Sequence, residues 1–290
     1  MSVHDVNRSD ATLLAREHAL LSNEERIFVT HTRYEAARII ALQMIVLAAL
    51  LLVWWAVSGT LVDRLFLSDP ISVARVLYEI IIDGTLWWHL EWTLVEMTLG
   101  YILGVSVGLI LAIAITGIPW ATQIVRPLAM GLFAIPKVAL APLIIVWFGI
   151  YLVPKVVLAA SLVLFIVYFN TVAGISSVNP RMDEVLRVMG ASRFALLTKL
   201  TLPSAMPYIF TAMRITVPGA LIGAIIGEFL SSNRGIGFLI AAASSRYDTA
   251  RVFAGILSLL AFVLLINAVI SRLERYLARW QPVADAKTRL

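Results

Sequence analysis

Residues 184–203 read E-V-L-R-V-M-G-A-S-R-F-A-L-L-T-K-L-T-L-P, a charged stretch between two apolar runs. Gly190 lies six residues after Glu184, and Pro203 closes the stretch. Glycine often ends a helix, and proline is tolerated in a first helical turn. The pattern therefore predicts a short helix, a bend at Gly190, a second short helix and then a longer one. We call this stretch with its flanks, residues 176–206, the polar island. It is too short and too polar to cross a bilayer, and its shape suits contact with another protein.

The composition excludes a soluble globular protein. Of the 290 residues, 60% are hydrophobic and 14% are charged, whereas about a quarter of the residues in a soluble domain are charged. The chain is therefore predicted to be an all-α polytopic membrane protein. The absence of cysteine excludes disulfides and thiolate-bound metals. The net charge of +5 is better explained by basic loops at a cytoplasmic membrane surface than by nucleic-acid binding.

Six long runs with few or no charges predict six membrane-spanning helices. They cover residues 39–62, 97–125, 127–148, 156–174, 207–229 and 252–271. Pro127, Pro136 and Pro142 predict that the third helix is bent or broken. An even number of spans puts both termini on one side. That side also holds the polar island, and it carries 15 of the 23 Lys and Arg residues, so it is predicted to be cytoplasmic.

These spans define the predicted organisation of the chain. It has a cytoplasmic N-terminal arm at 1–38, a first transmembrane helix at 39–62, an extracytoplasmic amphipathic segment at 63–96, a helical core at 97–272 and a cytoplasmic tail at 273–290. The amphipathic segment contains a proline-initiated apolar pattern and three tryptophans suited to the headgroup level of a membrane. We expect it to lie on the membrane surface.

A regular glycine spacing marks the second span. Gly100, Gly104 and Gly108 recur every four residues, which aligns them on one face of a helix. Small residues in this register let another helix backbone approach closely. The spacing predicts a helix-packing ridge, and we interpret it as a surface of the type used in dimers.

Four charged residues near or within the apolar runs need separate interpretation, because a charge at membrane depth usually faces a cavity or a partner. Of these, Arg214 is expected to anchor the fifth span at the cytoplasmic interface. For Lys137 two interpretations stay open. It either lies on a translocation path, where it meets an anionic solute or an acid such as Glu228, or it extends from a broken helix to the interface. Glu228 is expected to be structural and near the outer interface. Glu96 is expected in the first turn of the second span, where the helix dipole favours an acid.

Several chemistries have no support in the sequence. The chain lacks a G-x-x-x-x-G-K-[ST] phosphate loop, so we do not expect it to hydrolyse ATP. Gly235-x-Gly237 lacks the third glycine of a dinucleotide fingerprint. The four histidines are scattered without metal-ligand spacing. We therefore expect no enzyme activity and no bound cofactor or metal in this chain.

The polar island resembles the EAA loop of permease subunits of ATP-binding-cassette (ABC) importers, of the binding-protein-dependent transport inner-membrane family. That pattern is E-A-A, three residues, G, nine residues, I-x-L-P. Here it reads Glu184-Val185-Leu186, then Gly190, then Leu200, Leu202 and Pro203. The resemblance covers about residues 65–280. It is closest to the branch for nitrate, sulfonate, taurine and pyrimidine precursors, through segments 135–137, 141–143, 147–149, Glu228 and 235–237.

The resemblance implies a type I (MetI-like) importer permease with six transmembrane helices. In that family the loop docks on a separate cytoplasmic ATPase, present in two copies, which uses ATP and Mg²⁺. The residues that would carry docking here are Asp183, Glu184, Arg187, Gly190, Leu200 and Pro203. The other implied partners are an extracytoplasmic solute-binding protein and a second copy of the chain. The implied location is a bacterial inner membrane.

Two other function classes predict features that the sequence does not show. An ion-coupled secondary transporter would be expected to have an internal inverted repeat and paired intramembrane acids. An integral-membrane enzyme would be expected to cluster His, Asp or Glu at one membrane depth.

Overall fold

The computed structural model describes residues 38–116 and 118–277. The N-terminal arm up to residue 37 and the tail from residue 278 lie outside these residues, so nothing is added to the predictions for them. Within the described ranges the secondary structure is helical and contains no β-strand. The chain divides into two compact units, residues 1–63 and residues 64–290.

The first unit contains one helix among its described residues, α1 (Arg38–Val57), with a mean hydropathy of 2.5. At 1.5 Å per residue its 20 residues span about 30 Å, the thickness of the hydrocarbon core. The predicted end at residue 62 is five residues too late. Gly59 adopts a φ of +80°, and its N–H donates to the Val62 carbonyl at 2.8 Å. A tight turn therefore replaces the last predicted helical turn.

The second unit holds the remaining helices. They are α2 (Pro70–Ile82), α3 (Thr85–Thr116), α4 (Pro119–Ala134), α5 (Lys137–Phe148), α6 (Leu152–Ser176), α7 (Pro180–Val188), α8 (Arg193–Leu196), a π-helical turn (Leu197–Thr201), α9 (Leu202–Ser231), α10 (Ile236–Ser245) and α11 (Thr249–Leu277). Helices α3, α6, α9 and α11 are long and apolar enough to cross a membrane. The π-helical turn joins α8 to α9, so residues 193–231 form one extended helix that begins well before the predicted residue 207.

The short helix α2 has a clear start and stop. Asp69 caps its N-terminus by accepting hydrogen bonds from the N–H groups of Ile71 and Ser72 at 3.1 and 2.9 Å. The backbone hydrogen bond from Ser72 is the main reason why the pKa of Asp69 lies below its ordinary value. Gly84, with a φ of +83°, separates α2 from α3.

Helix α3 begins at Thr85, twelve residues before the predicted start of the second span at Met97. The prediction used the last charged residue, Glu96, as the boundary. That criterion was wrong because the Glu96 side chain is buried inside the bundle. The segment predicted as extracytoplasmic and amphipathic therefore contains α2 and the first three turns of a long span.

Helix α6 packs along the glycine ridge of α3. A Cβ placed on Gly104 would lie 2.7 Å from the Cβ of Val163, and one on Gly108 would lie 2.6 Å from the Leu164 carbonyl oxygen. Gly100 meets Ala159 in the same way. The ridge is therefore occupied by a helix of the same chain. This finding corrects its interpretation as a dimer surface.

The contacts along this ridge also fix the direction of the helices. Gly100 lies beside Ala159 and Gly108 beside Val167, so α3 and α6 are parallel. Because α3 and α6 are parallel, they end on the same side of the bundle. The chain between the end of α3 and the start of α6 must therefore cross back to the other side. It does so as α4 and α5, which are bent by 93° at the break. Counted as one span, this bent pair brings the number of spans among the described residues, α1 included, to six.

The break in this span lies at Ile135 and Pro136, between α4 and α5. Pro127 and Pro142 lie inside these helices without ending them. The predicted break was therefore correct. The predicted first residue, 127, was not, because α4 begins at Pro119.

Helix α9 packs antiparallel to α6. Gly227 faces Lys155 near the start of α6, and Gly174 near the end of α6 faces Ala205. Small residues on both helices permit this close approach. The polar island thus lies at one end of α6, and the first turns of α3 and α6 lie at the other.

Candidate functional site

The polar island is a helix, a glycine turn and a second helix. The Asn179 side chain caps α7 by accepting from the N–H of Arg181 at 3.0 Å, and Pro180 fills the first helical position. At the other end Gly190 has a φ of +83°. The N–H of Ala191 donates to the Leu186 carbonyl, and the N–H of Gly190 donates to the Arg187 carbonyl, each at 3.0 Å. This pair of bonds is the Schellman motif, which ends a helix with a fixed geometry.

A second cap restarts the helix after the turn. The Ser192 hydroxyl accepts from the N–H of Ala195 at 3.2 Å. Leu196 and Leu200 are buried, so this part of the island is anchored in the bundle. Leu200 was predicted as a docking residue, but its burial makes it an anchoring residue instead. Pro203 lies in the first turn of α9 and is exposed.

The tip of the island exposes large apolar side chains. Val188 is 89% exposed, although valine is ordinarily buried in folded proteins. The other exposed apolar side chains of the island are Met182, Val185, Met189 and Phe194. We call these five residues the apolar knob. An apolar cluster exposed on a polar element marks an interaction surface.

Charged side chains flank the apolar knob. Arg187 donates to the Asp183 carboxylate at 2.7 Å across one turn of α7. This hydrogen bond raises the pKa of Arg187. Glu184 is exposed on the same helix. Asp183 and Arg187 also line a cavity of about 520 Å³ at the base of the island, together with Arg193 and apolar residues of α3, α6 and α8.

Lys137 lies at the break between α4 and α5. Its ammonium donates to the Leu132 carbonyl at 2.5 Å and approaches the Phe133 carbonyl at 3.5 Å, and it lies 5.1 Å from the centre of the Phe165 ring. Carbonyls at the C-terminal end of a helix lack helical partners, and cations are favoured there. Lys137 thus caps α4. The structure does not bring it to Glu228, which was one contact possible under the first of the two interpretations left open for Lys137.

Glu228 is buried near the end of α9. Its Oε1 accepts from the Thr93 hydroxyl at 2.7 Å, and its Oε2 accepts from the N–H of Gly237 at 2.6 Å. The Gly235-x-Gly237 motif of the sequence forms part of the wall around this carboxyl, because a Cβ on Gly235 would collide with Glu228. Glu228 therefore joins α9 to α3 and to the start of α10.

A buried ion pair that the sequence analysis missed lies beside Glu228. The Lys155 ammonium is 2.7 Å from Oε1 of Glu96, and both side chains are almost fully buried. Lys155 also donates to the Ser232 hydroxyl at 2.7 Å. Glu96 was expected in the first turn of its span. It lies instead about three turns into α3. A signal was present, since Glu96 stands four residues before Gly100 and shares the face of the glycine ridge.

Sequence comparison shows that this chain is similar to membrane transport proteins. Residues 104–281 match the model of a family described as binding-protein-dependent transport system inner membrane component. A putative aliphatic sulfonates transport permease protein SsuC of Bacillus subtilis is 32% identical over 82% of this chain and 87% of its own length. The formylaminopyrimidine transport permease protein ThiX of Halalkalibacterium halodurans is 32% identical over 83% of this chain and 96% of its own.

A solved structure shows the same fold. The MetNI methionine ABC transporter, crystallised in inward-facing conformations, has a chain that matches with a TM-score of 0.53 and 21% sequence identity. The match covers 66% of this chain and 93% of that one. At this identity the likeness concerns the helical arrangement alone.

Proposed function

This chain belongs to the family of binding-protein-dependent transport system inner membrane components, and we propose that its polar island docks onto a separate ATPase that drives transport. The chain is the permease subunit of an ABC importer, and its relatives are transport permeases rather than enzymes. In this proposal ATP and Mg²⁺ bind to the ATPase and not to this chain.

The observation that carries the docking proposal is the apolar knob. Its five exposed side chains lie on α7, at the turn that follows it and on α8, and the backbone hydrogen bonds give that turn a fixed geometry. Exposed apolar anchors within a polar rim are the usual core of a protein–protein contact. The rim here is formed by charged residues such as Glu184 and Arg187. A groove on the ATPase that accepts the knob would exclude water from it.

Helix continuity supplies a path from the docked island to the membrane. Residues 193–231 form one extended helix, whose length at 1.5 Å per residue is about 58 Å. Its first turns are anchored by Leu196 and Leu200. A movement of the ATPase against the island would therefore displace the whole of α9 against α3 and α6. Such rigid-body displacement is a known basis of alternating access.

The proposed orientation follows from the polar island. If an ATPase binds it, the island faces the cytoplasm, and both termini lie on the same side of a bacterial inner membrane. The first turns of α3 and α6 then face outward, towards an extracytoplasmic solute-binding protein. Two copies of the ATPase and two copies of this chain would complete the importer. Because α6 covers the glycine ridge, the second copy must use another face.

The proposed solute is a small sulfonate-like anion or a pyrimidine precursor, on the basis of the relatives named above. Lys137 caps a helix, and Lys155 pairs with Glu96. Neither cation is thus available to a transported anion. Because both lysines already have protein partners, we propose that the separate binding protein, and not this chain, selects the solute.

A secondary transporter is the alternative, because Glu96 and Glu228 are neighbouring acids on two helices that are long and apolar enough to span a membrane. Their partners, however, are Lys155, Thr93 and the backbone of Gly237. These are protein groups, which fits a structural pair. Family membership also supports the importer.

The docking proposal is tested by placing a charge on the knob. We expect Val188→Glu to abolish co-purification of the ATPase and to abolish solute uptake by the complete transporter in vesicles, because a carboxylate would be buried in the interface. Leu61→Glu is the matched control, since Leu61 is 82% exposed in a loop on the predicted opposite side. A Val188→Glu chain that retains both the ATPase and uptake would disprove docking at the knob.

The orientation has its own test. The chain contains no cysteine, so Val188→Cys and Leu61→Cys can each be labelled singly with a membrane-impermeant maleimide, in intact cells that express this chain without the ATPase that would cover Val188. We expect Leu61→Cys to react and Val188→Cys to react only after the cells are opened. The reverse pattern would place the island outside and exclude an ATPase partner.

A further inference from the structure

The turn between α9 and α10, taken here with the first two residues of α10 as residues 232–237, is held by side chains of three helices. Ser232 accepts from Lys155 of α6, the N–H of Ile236 donates to the Thr93 hydroxyl of α3 at 2.9 Å, and the N–H of Gly237 donates to Glu228 of α9. The Arg234 guanidinium lies 4.4 Å from the centre of the Trp92 ring. Almost every residue of the turn is therefore tied to the bundle.

The hydrogen bonds around the two carboxyls leave one atom without a donor. The Thr93 oxygen accepts from the N–H of Ile236, and its single proton is donated to Oε1 of Glu228 at 2.7 Å rather than to the more distant His89 carbonyl at 3.3 Å. Oε2 of Glu228 accepts from Gly237, and Oε1 of Glu96 accepts from Lys155. Oε2 of Glu96 is buried and has no partner. It belongs to the carboxyl that adjoins Glu228.

The charges do not balance if both carboxyls are ionised. Among the described residues, Lys155 is the cation that reaches either of them. His89 of α3 contacts Trp88, Phe238 and the backbone of Gly235, and Arg234 of the turn stacks on Trp92. Lys137 of α5 is bound to α4, and α10 has no titratable side chain. Two buried carboxylates against one ammonium would leave a buried charge uncompensated, which is strongly unfavourable.

We propose that Glu96 and Glu228 share one proton, and that the neutral cluster of Lys155, Glu96 and Glu228 locks the α9–α10 turn onto α3. The proton gives the orphaned Oε2 of Glu96 its hydrogen bond and cancels the excess charge. Glu228 is then a positioning residue for transport, because it fixes the end of α9 that lies opposite the polar island. Loss of the proton would place two like charges side by side and release the turn.

The lock is tested by cysteine labelling, which needs no ATPase and no solute and is thus independent of the docking proposal. Ile236 is fully buried by the lock, so Ile236→Cys reacts with a maleimide only when the turn opens. After correction for thiolate content, we expect its labelling rate in the otherwise unchanged chain to rise towards alkaline pH. The slope should approach about tenfold per pH unit, as for the release of a single proton. Ala243→Cys, also buried in α10, is the control and should show no such slope.

Substitution of either acid should remove the pH dependence. Glu228→Gln supplies an amide N–H in place of the shared proton, and the cluster then stays neutral at every pH through Lys155 and Glu96. Glu96→Gln leaves Lys155 and Glu228, which is also neutral. We expect slow labelling of Ile236→Cys at all pH values in both backgrounds. An unchanged slope in either folded variant, or no slope in the parent chain, would overturn the shared proton.

A double substitution checks the charge balance directly. Lys155→Met should reduce the yield of folded protein, and adding Glu96→Gln to it should restore most of that yield, because the remaining Glu228 can bind its own proton. Asp83→Asn is a control for the general effect of removing an acid, since Asp83 lies outside the cluster. Rescue by Asp83→Asn, or failure of Glu96→Gln to rescue, would contradict the proposal.

Discussion

Two ion pairs of the same length lie at opposite ends of α6, and their surroundings differ. Lys155 and Glu96 are 2.7 Å apart with side-chain exposures of 6% and 2%. Arg187 and Asp183 are also 2.7 Å apart, with exposures of 57% and 34%. The first pair holds helices together, whereas the second lies on a surface offered to a partner. Distance alone therefore does not reveal what an ion pair does, because its energy depends on the solvent around it.

The two ends also differ in their glycines. Gly235 and Gly190 both adopt a positive φ. A Cβ on Gly235 would strike the Glu228 carboxyl, whereas a Cβ on Gly190 would meet no atom within 4 Å. One turn is thus shaped by its contacts and the other by its own backbone. The buried end resembles a protein core, and the island end resembles a free interface.

The largest predicted effect is that of Lys155→Met. Removing one partner of a buried pair leaves the other charge uncompensated, which destabilises a protein by about 3 to 5 kcal/mol. We expect a large loss of folded chain and a lower melting temperature, measured by thermal unfolding in detergent. If Lys155→Met melted close to the temperature of the parent chain, the buried Lys155–Glu96 pair would be no more important for stability than the exposed Arg187–Asp183 pair.

A smaller but still large effect is expected for Gly235→Ala. Gly235 has a φ of +96° and a ψ of 160°, a region that only glycine occupies readily, and forcing another residue into it costs about 1 to 3 kcal/mol. The collision with Glu228 adds to that strain. Faster labelling of Ile236→Cys in this background would be the specific sign that the turn has been displaced.

Gly190→Ala should have an intermediate effect that appears in docking more than in stability. The left-handed backbone costs about 1 to 2 kcal/mol with any Cβ, but no neighbour opposes the methyl group. We expect a modest fall in the affinity for the ATPase, measured by titration of the purified subunits. A loss of stability as large as that of Gly235→Ala would contradict the contrast between the two turns.

The smallest predicted change is that of Arg187→Met, the counterpart of Lys155→Met. An exposed pair one helical turn apart contributes about 0 to 1 kcal/mol, so the melting temperature should stay within a few degrees of the parent value. Any effect on uptake should come with weaker ATPase binding. A fall in the melting temperature as large as that of Lys155→Met would mean that the Arg187–Asp183 pair is energetically equivalent to a buried ion pair.

Much of the architecture followed from the sequence because it depends on local chemistry. Apolar runs long enough to cross a bilayer predict spans wherever they occur. The prolines at 127, 136 and 142 predicted a bent or broken third span, whose break lies at Pro136, and Gly190 predicted the turn of the island. Each of these features determines the structure of residues that are only a few positions away from it in the sequence. The boundaries of α1, α3 and α9 were wrong because a charge or a proline was read as an end without knowledge of its neighbours.

The buried lock could be assigned only from the tertiary structure. Glu96, Lys155 and Glu228 lie on three helices, and each alone looks like a charge at the end of an apolar run. Whether such a charge faces lipid, water or a partner depends on which helix faces are packed together. The sequence by itself determined a polytopic helical protein with a polar island. Only the packing decided which charges are buried, since an ion pair exists only where two distant segments meet.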